Sequence, residues 1–147
     1  MLVAPPSPSQ FLHVEAKRRT ALVTLVAGYD GENNGFNFDG YGRGELLLSI
    51  PRGWRVRVTC TNRGGLRHSC AVVSGPMATA PAFPGATIPH PVQGLAPGVT
   101  ATFSFVASRT GSYRLACLVP GHEDARMWDV LEVTRGGGPH VSARAGP

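Results

Sequence analysis

A thiol, an imidazole and a thioether recur at five-residue intervals in "CLVPGHEDARMW", residues 117–128: Cys117, His122 and Met127. Pro120 and Gly121 place a turn between the first two. Taken singly, these are a buried cysteine, a surface histidine and a core methionine. Taken together they are a soft donor set. A copper ion that cycles between two oxidation states is suited by a thiolate and two imidazoles in one plane, with a weak thioether above it. Zinc would accept the same thiolate and imidazoles, but the thioether fits copper better. The loop lacks one imidazole, and His68 is the natural source. It opens a strand directly after the turn "RGGLR", at an end of the fold where loops converge.

The remaining histidines fit less well. His13 lies near the N-terminal segment and His140 in the C-terminal tail. His90, in "IPHPV", reads as a loop histidine bordering the site, with a ligand role the lesser reading. Cys117 beside His122 could in principle be a nucleophile and its base. That reading has no third orienting group and no use for Met127, so the chain is not read as an enzyme. A dinuclear copper site would need a second cysteine in the loop. A trinuclear cluster would need paired histidines, and no His-x-His occurs.

The elements that must hold these residues read as strands. "TALVTLVAGY" (20–29), "ELLLSI" (45–50), "HSCAVVS" (68–74), "TATFSFVAS" (100–108), "GSYRLACL" (111–118) and "WDVLEV" (128–133) are β-rich and separated by turn signals. In "WRVRVTCTN" (54–62), Trp54, Val56, Val58, Cys60 and Asn62 share one face. Residues 28–45 and 75–98 are long loops dense in Gly, Asn, Asp and Pro. No segment of useful length has a helical period. Seven or eight short strands imply an all-β sandwich.

The chain has 147 residues, enough for one domain with a real core. Its formal charge is +5, carried almost wholly by arginine, since Lys17 is the single lysine. That balance favours an acidic partner. The arginines are dispersed and do not interleave with aromatics, so no nucleic-acid groove is indicated. No stretch is long enough to span a membrane. Residues 1–10 read as a flexible Pro/Ser linker, 11–135 as the single domain, and 136–147 as a disordered tail. The start is not a signal peptide. An export signal or membrane anchor is expected to precede it in the natural precursor.

"LRHSCAVV", followed about fifty residues later by "YRLACLVPGHEDARMWDVLEV", resembles the blue copper proteins, or cupredoxins. The branch it resembles most is sulfocyanin, with rusticyanin a near relative. The resemblance covers roughly residues 20–134 and includes "GFNFDGYGRGELLLSIPRGWRVRVTCTN". It implies an antiparallel Greek-key β-sandwich, one type 1 copper ion, and His68, Cys117, His122 and Met127 as its ligands. It implies one-electron transfer by a monomer outside the cytoplasm, in the periplasm or on the outer face of the cell membrane. The partner would be a cytochrome, an oxidase or a reductase, docking transiently near His122. The alternatives are a copper delivery or storage module, or a cupredoxin domain of a larger copper oxidase or reductase. Ser69 follows the rusticyanin and sulfocyanin pattern, where plastocyanin-like proteins carry Asn, and implies a relatively high reduction potential.

Other residues carry expectations of their own. Met77, Phe83, Pro84, Ile88 and Pro89, with "LVPG", are expected to form an apolar docking face. Arg67 and Arg126 adjoin ligands and could steer an acidic partner, although Glu123 and Asp124 lie equally close. Asn62 reads either as a hydrogen-bond support of the site or as a turn-stabilising residue. Trp128 is expected to pack into the core. Cys60 and Cys70 depart from the family pattern. Both fall on the inward parity of facing strands, which leaves two readings open: buried inert thiols, or an inter-sheet disulfide.

Overall fold

A computed structural model describes residues 6–144. The first half of the expected linker and the last three residues of the expected tail lie outside the described residues. Among the described residues nine strands form: β1 (Leu12–Glu15), β2 (Thr20–Ala27), β3 (Leu46–Pro51), β4 (Arg55–Asn62), β5 (Ala71–Val73), β6 (Thr100–Val106), β7 (Gly111–Ala116), β8 (Trp128–Thr134) and β9 (His140–Ala143). They make two sheets, in the orders β1-β2-β4-β6 and β5-β7-β8-β3-β9. Consecutive strands β2 to β5 alternate between the sheets, as a Greek-key sandwich requires. The sheets are mixed rather than purely antiparallel, because β2 runs parallel to β4 and β3 parallel to β8. Among the described residues no helix is long and apolar enough to cross a membrane.

The period-2 pattern sets which side chains meet between the sheets. Ala21, Val23, Leu25 and Ala27 of β2 are buried, as are Val56, Val58, Cys60 and Asn62 of β4. Phe103 and Phe105 of β6 face Leu48 and Ile50 of β3 and Leu115 and Leu131 of the second sheet in one core. Each large apolar side chain removed from water contributes roughly 1.5–3 kcal/mol. Cys60 and Cys70 form a disulfide with Cα atoms 6.1 Å apart, so the reading as two free thiols is set aside. Closing so short a loop stabilises by about 3 kcal/mol in the chain-entropy account.

Several segments differ from expectation. β1 was not legible, because its side chains are exposed or half-buried on both faces and carry no apolar alternation. β9 lies in the tail read as disordered; it pairs antiparallel with β3, from Leu46↔Ala143 to Ser49↔His140. Its side chains are mostly exposed, so the pairing is made by backbone that composition does not report. The described part of the linker is also ordered: Pro8–Phe11 is a 3-10 turn, and the Pro6 carbonyl accepts the Tyr41 hydroxyl at 2.7 Å. The loop at 75–98 replaces a strand beside β5. Its Ala82 and Ala86 exchange backbone bonds with Val72, and Ile88 donates to the Cys70 carbonyl. Phe83 and Ile88 thereby enter the core at 1% and 0% exposure, which removes both from the expected docking face.

Candidate metal centre

β7 ends at Ala116, and the next residue delivers Cys117 to the end of the sandwich. The loop from there to β8 folds back on itself. His122 donates its N–H to the Val119 carbonyl, Met127 to the His122 carbonyl, and Cys117 to the Met127 carbonyl. These three bonds bring residues five apart in sequence onto one another. His68 arrives from the other side, before β5, held by a reciprocal backbone pair with Leu95 at 3.2 and 2.7 Å.

The result is a buried cluster. Nδ1 of His68 lies 3.2 Å from Nδ1 of His122, and Cys117 Sγ lies 3.3 Å from His122 Nδ1 and 4.0 Å from His68 Nδ1. The three donor atoms fall within 4.8 Å of one another. Exposure is 2% at His68, 0% at Cys117, 8% at His122 and 0% at Met127. Two imidazole nitrogens and a sulphur thus converge within 4.8 Å of one another in a buried site. That donor chemistry fits a soft, mid-sized cation and has no evident use without one.

The surroundings fix this geometry. Ser69 donates its backbone N–H to Cys117 Sγ at 3.3 Å, and its hydroxyl lies 3.8 Å from the same sulphur. The Leu118 N–H donates to Ser69 Oγ at 2.8 Å. Phe36 packs edge-on against both rings, with centroids 5.0 Å from His122 and 6.3 Å from His68. Asn62 donates to the Leu66 and Leu95 carbonyls and accepts from the Gly64 N–H. It therefore organises the turn that delivers His68. The 28–45 loop buttresses the ligand loop through Asn33, which donates to the Ala125 carbonyl, and through Arg43, which donates to the Arg126 carbonyl. Phe36 and Asn33 were not singled out in sequence. Their only signal is membership of the "GYDGENNGFNFDGYGRGE" loop, residues 28–45.

Other expected residues sit elsewhere. His13, His90 and His140 are exposed and outside the cluster. Arg67 holds the Gln93 and Gly94 carbonyls at 3.0 Å each, a structural tie behind His68. Trp128 does not fill the main core. It is half-buried on the outer face of its sheet, with the Arg114 guanidinium 3.8 Å over its ring. Parity explains this, because Asp129, Leu131 and Val133 take the inward positions of β8. Arg114 also pairs with Glu123 at 2.9 Å, and Glu123 accepts the Met77 N–H, which joins three segments beside the loop. Asp39 and Asp129 are buried carboxyls that the sequence reading did not find. Each accepts one backbone N–H, from Val26 and Leu46 respectively, through Oδ1.

Electrostatics keep the donors neutral. Burial, and then the neighbouring His122, push His68 down to about 4. Burial also lowers His122 and raises the Cys117 thiol, against the Ser69 N–H, which favours the thiolate. A bound cation overrides this and deprotonates a ligating thiol. In the metal-free protein His68 binds its proton more weakly folded than unfolded. Its stabilising contribution is complete above the ordinary histidine value of 6.5 and is lost as pH falls through about 4. Burial raises Asp39, with the opposite sign: its contribution grows as pH falls and is lost as pH rises through its folded value. A His68→Gln variant should therefore lose less stability than the wild type between pH 6.5 and 4. Metal-free urea midpoints across that window measure the difference, and equal slopes would refute the assignment.

The Sulfocyanin (SoxE) domain family matches residues 7–137. A sulfocyanin of Sulfolobus acidocaldarius is 30% identical over 128 residues, covering 79% of this chain. The chain spans 64% of that relative's length. A reduced auracyanin from Roseiflexus castenholzii has a similar fold, with TM-score 0.55 and 21% identity over 79% of this chain and 97% of its own. Rusticyanin variants give a TM-score of 0.56 and 21% identity over 84% of this chain and 86% of theirs.

Proposed function

Because this chain belongs to the sulfocyanin family of blue copper proteins, we propose that it carries single electrons between redox partners. In this reading His68, Cys117 and His122 would hold the copper, and the Met127 thioether would add a further, weak donor. One buried His–Cys–His cluster, with its donor atoms within 4.8 Å and Ser69 bonded to the sulphur, supports it best. Bound copper supplies a one-electron couple whose two oxidation states both tolerate this donor set.

The chain's own residues do the rest. Asn62 and the Ser69 bonds fix the ligands so that neither oxidation state can drag them far. Phe36 and the burial of all four side chains keep water off the site. His122 lies on the loop between β7 and β8, and its ring edge would be the route by which the electron leaves. The docking face around it is Met77, Val92 and Pro120, with Val119 half-buried, lining a groove that reaches Cys117. Met77 is 71% and Val92 52% exposed. A contact of this kind is small and brief, as suits a redox encounter.

The partner is a cytochrome, an oxidase or a reductase with an acidic approach face, to match the charge of +5. The compartment is extracytoplasmic, a reading supported by the Cys60–Cys70 bridge. The test is voltammetry of the copper-loaded chain, followed by stopped-flow oxidation of its copper(I) form by ferricyanide and by a cationic oxidant of similar potential. A reversible one-electron wave is expected. The anionic oxidant should react faster, and that advantage should shrink as salt rises. Absence of a reversible wave would sink the proposal.

A further inference from the structure

The Cys60–Cys70 bridge encloses more than core. The ring it closes, residues 60–70, contains Asn62, the Gly64–Gly65 turn, His68 and Ser69. Within that ring His68 and Ser69 have little regular support. β4 ends at Asn62 and β5 begins at Ala71, so the intervening backbone belongs to neither ladder. His68 has only its isolated bridge to Leu95. Leu95 is itself held by Asn62, two residues from Cys60. Ser69, which touches the Cys117 sulphur and takes the Leu118 N–H, is bonded directly to Cys70.

Each end of the bridge therefore abuts a group that sets the site. On the Cys60 side this is Asn62, which holds the turn and Leu95, the backbone partner of His68. On the Cys70 side it is Ser69, and then His68 itself. Both cysteines are fully buried, so the bridge is anchored in the packed core. Two glycines in the turn leave that segment its greatest backbone freedom. A covalent tie between the sheets at this point restricts it.

We infer that Cys60 and Cys70 are positioning residues for the copper site, whose disulfide fixes His68 and Ser69 against Cys117. The inference rests on the proposed copper reading. It goes beyond a contribution to stability: losing the bridge should alter the metal site itself. Loss of a group that orients a metal ligand costs about 10–100-fold in metal affinity.

The test compares copper-loaded wild type with Cys60→Ala/Cys70→Ala and with Ile50→Ala. Ile50 is fully buried and pairs with Val133 toward the opposite end of the sandwich, so its truncation destabilises without touching the site. The readouts are the visible spectrum, the reduction potential and the rate of copper(I) loss to a chelator. The bridge-free protein should lose copper about 10–100-fold faster, with a shifted band and potential. Ile50→Ala should lower only the melting temperature. Equal behaviour of the two variants at the site, both folded, would overturn the inference. If the alanine pair does not fold, Cys60→Val/Cys70→Ala restores most of the lost volume and carries the same comparison. If that pair does not fold either, the bridge is a condition of the fold and the inference falls. A wild type without a thiolate band would instead refute the copper reading.

Discussion

Copper-loaded Cys117→Ser should be colourless where the wild type is intensely coloured. The intense visible absorption of a thiolate–copper centre requires charge transfer from sulphur, and Cys117 is the free cysteine among the described residues. A serine hydroxyl replaces a soft thiolate with a hard group that stays protonated. The loss in copper affinity should exceed the about 10–100-fold that removing a hydrogen-bonded partner of a ligand costs. The fold should survive. The position is fully buried, but the Ser69 N–H that now donates to Sγ can donate to the new oxygen, so no polar group is orphaned. A visible spectrum and a copper titration test this together. Thermal melts with and without copper add a third readout: the wild type should gain stability as copper rises above its dissociation constant, and the variant much less. Met127→Leu is the contrast, expected to keep the band and shift the potential. A band that persists in Cys117→Ser would remove the thiolate from the site and leave the loop without its chemistry.

Much of this arrangement could be read from the chain, for identifiable reasons. The ligand loop is local: Cys117, His122 and Met127 lie within eleven residues, and the bonds that fold them together run within the same segment. The alternating strands β2, β4 and β6 were legible because half-buried sheets force a period of two. What escaped depends on contacts distant in sequence. Phe36 reaches the two imidazoles from a loop that looks merely polar. Asp39 and Asp129 are buried acids whose partners, Val26 and Leu46, lie 13 and 83 residues away. Phe83 and Ile88 looked like surface residues because prolines and glycines surround them. Their loop in fact covers the edge of β5 and turns them inward. β9 is visible only through its backbone pairing with β3. The Cys60–Cys70 pair was legible as a parity and undecided as a bond, since parity says which side a residue faces and nothing about distance.

The turn carrying His68 shows how little room the site has, and Gly28→Ala should expose it. Gly28 has φ +66°, and its N–H donates to the Asn37 carbonyl at 2.9 Å, which pins that conformation. A side chain there pays about 1–2 kcal/mol for the left-handed backbone. Its Cβ would also lie 2.7 Å from Gly64 Cα and 2.9 Å from Gly64 N, against backbone that has no rotamer to change. The same added carbon would lie 3.4 Å from His68 Nε2, and Gly64 itself packs so close to that imidazole that a Cβ on it would stand 2.9 Å from Nε2. The two glycines and the imidazole form one close stack, so the strain passes to His68. Relieving such overpacking costs about 1–3 kcal/mol more, for a total of about 2–5 kcal/mol. Gly98→Ala is the control. Its φ is +85° and nothing lies within 4 Å of the added carbon, so it should pay only the backbone cost. Metal-free urea midpoints should rank Gly28→Ala well below Gly98→Ala. The copper-loaded spectrum should shift in the first variant alone, because only there does the strain reach a ligand. Equal destabilisation with unchanged spectra would mean that the backbone at Gly64 yields freely and that His68 is not held by this stack.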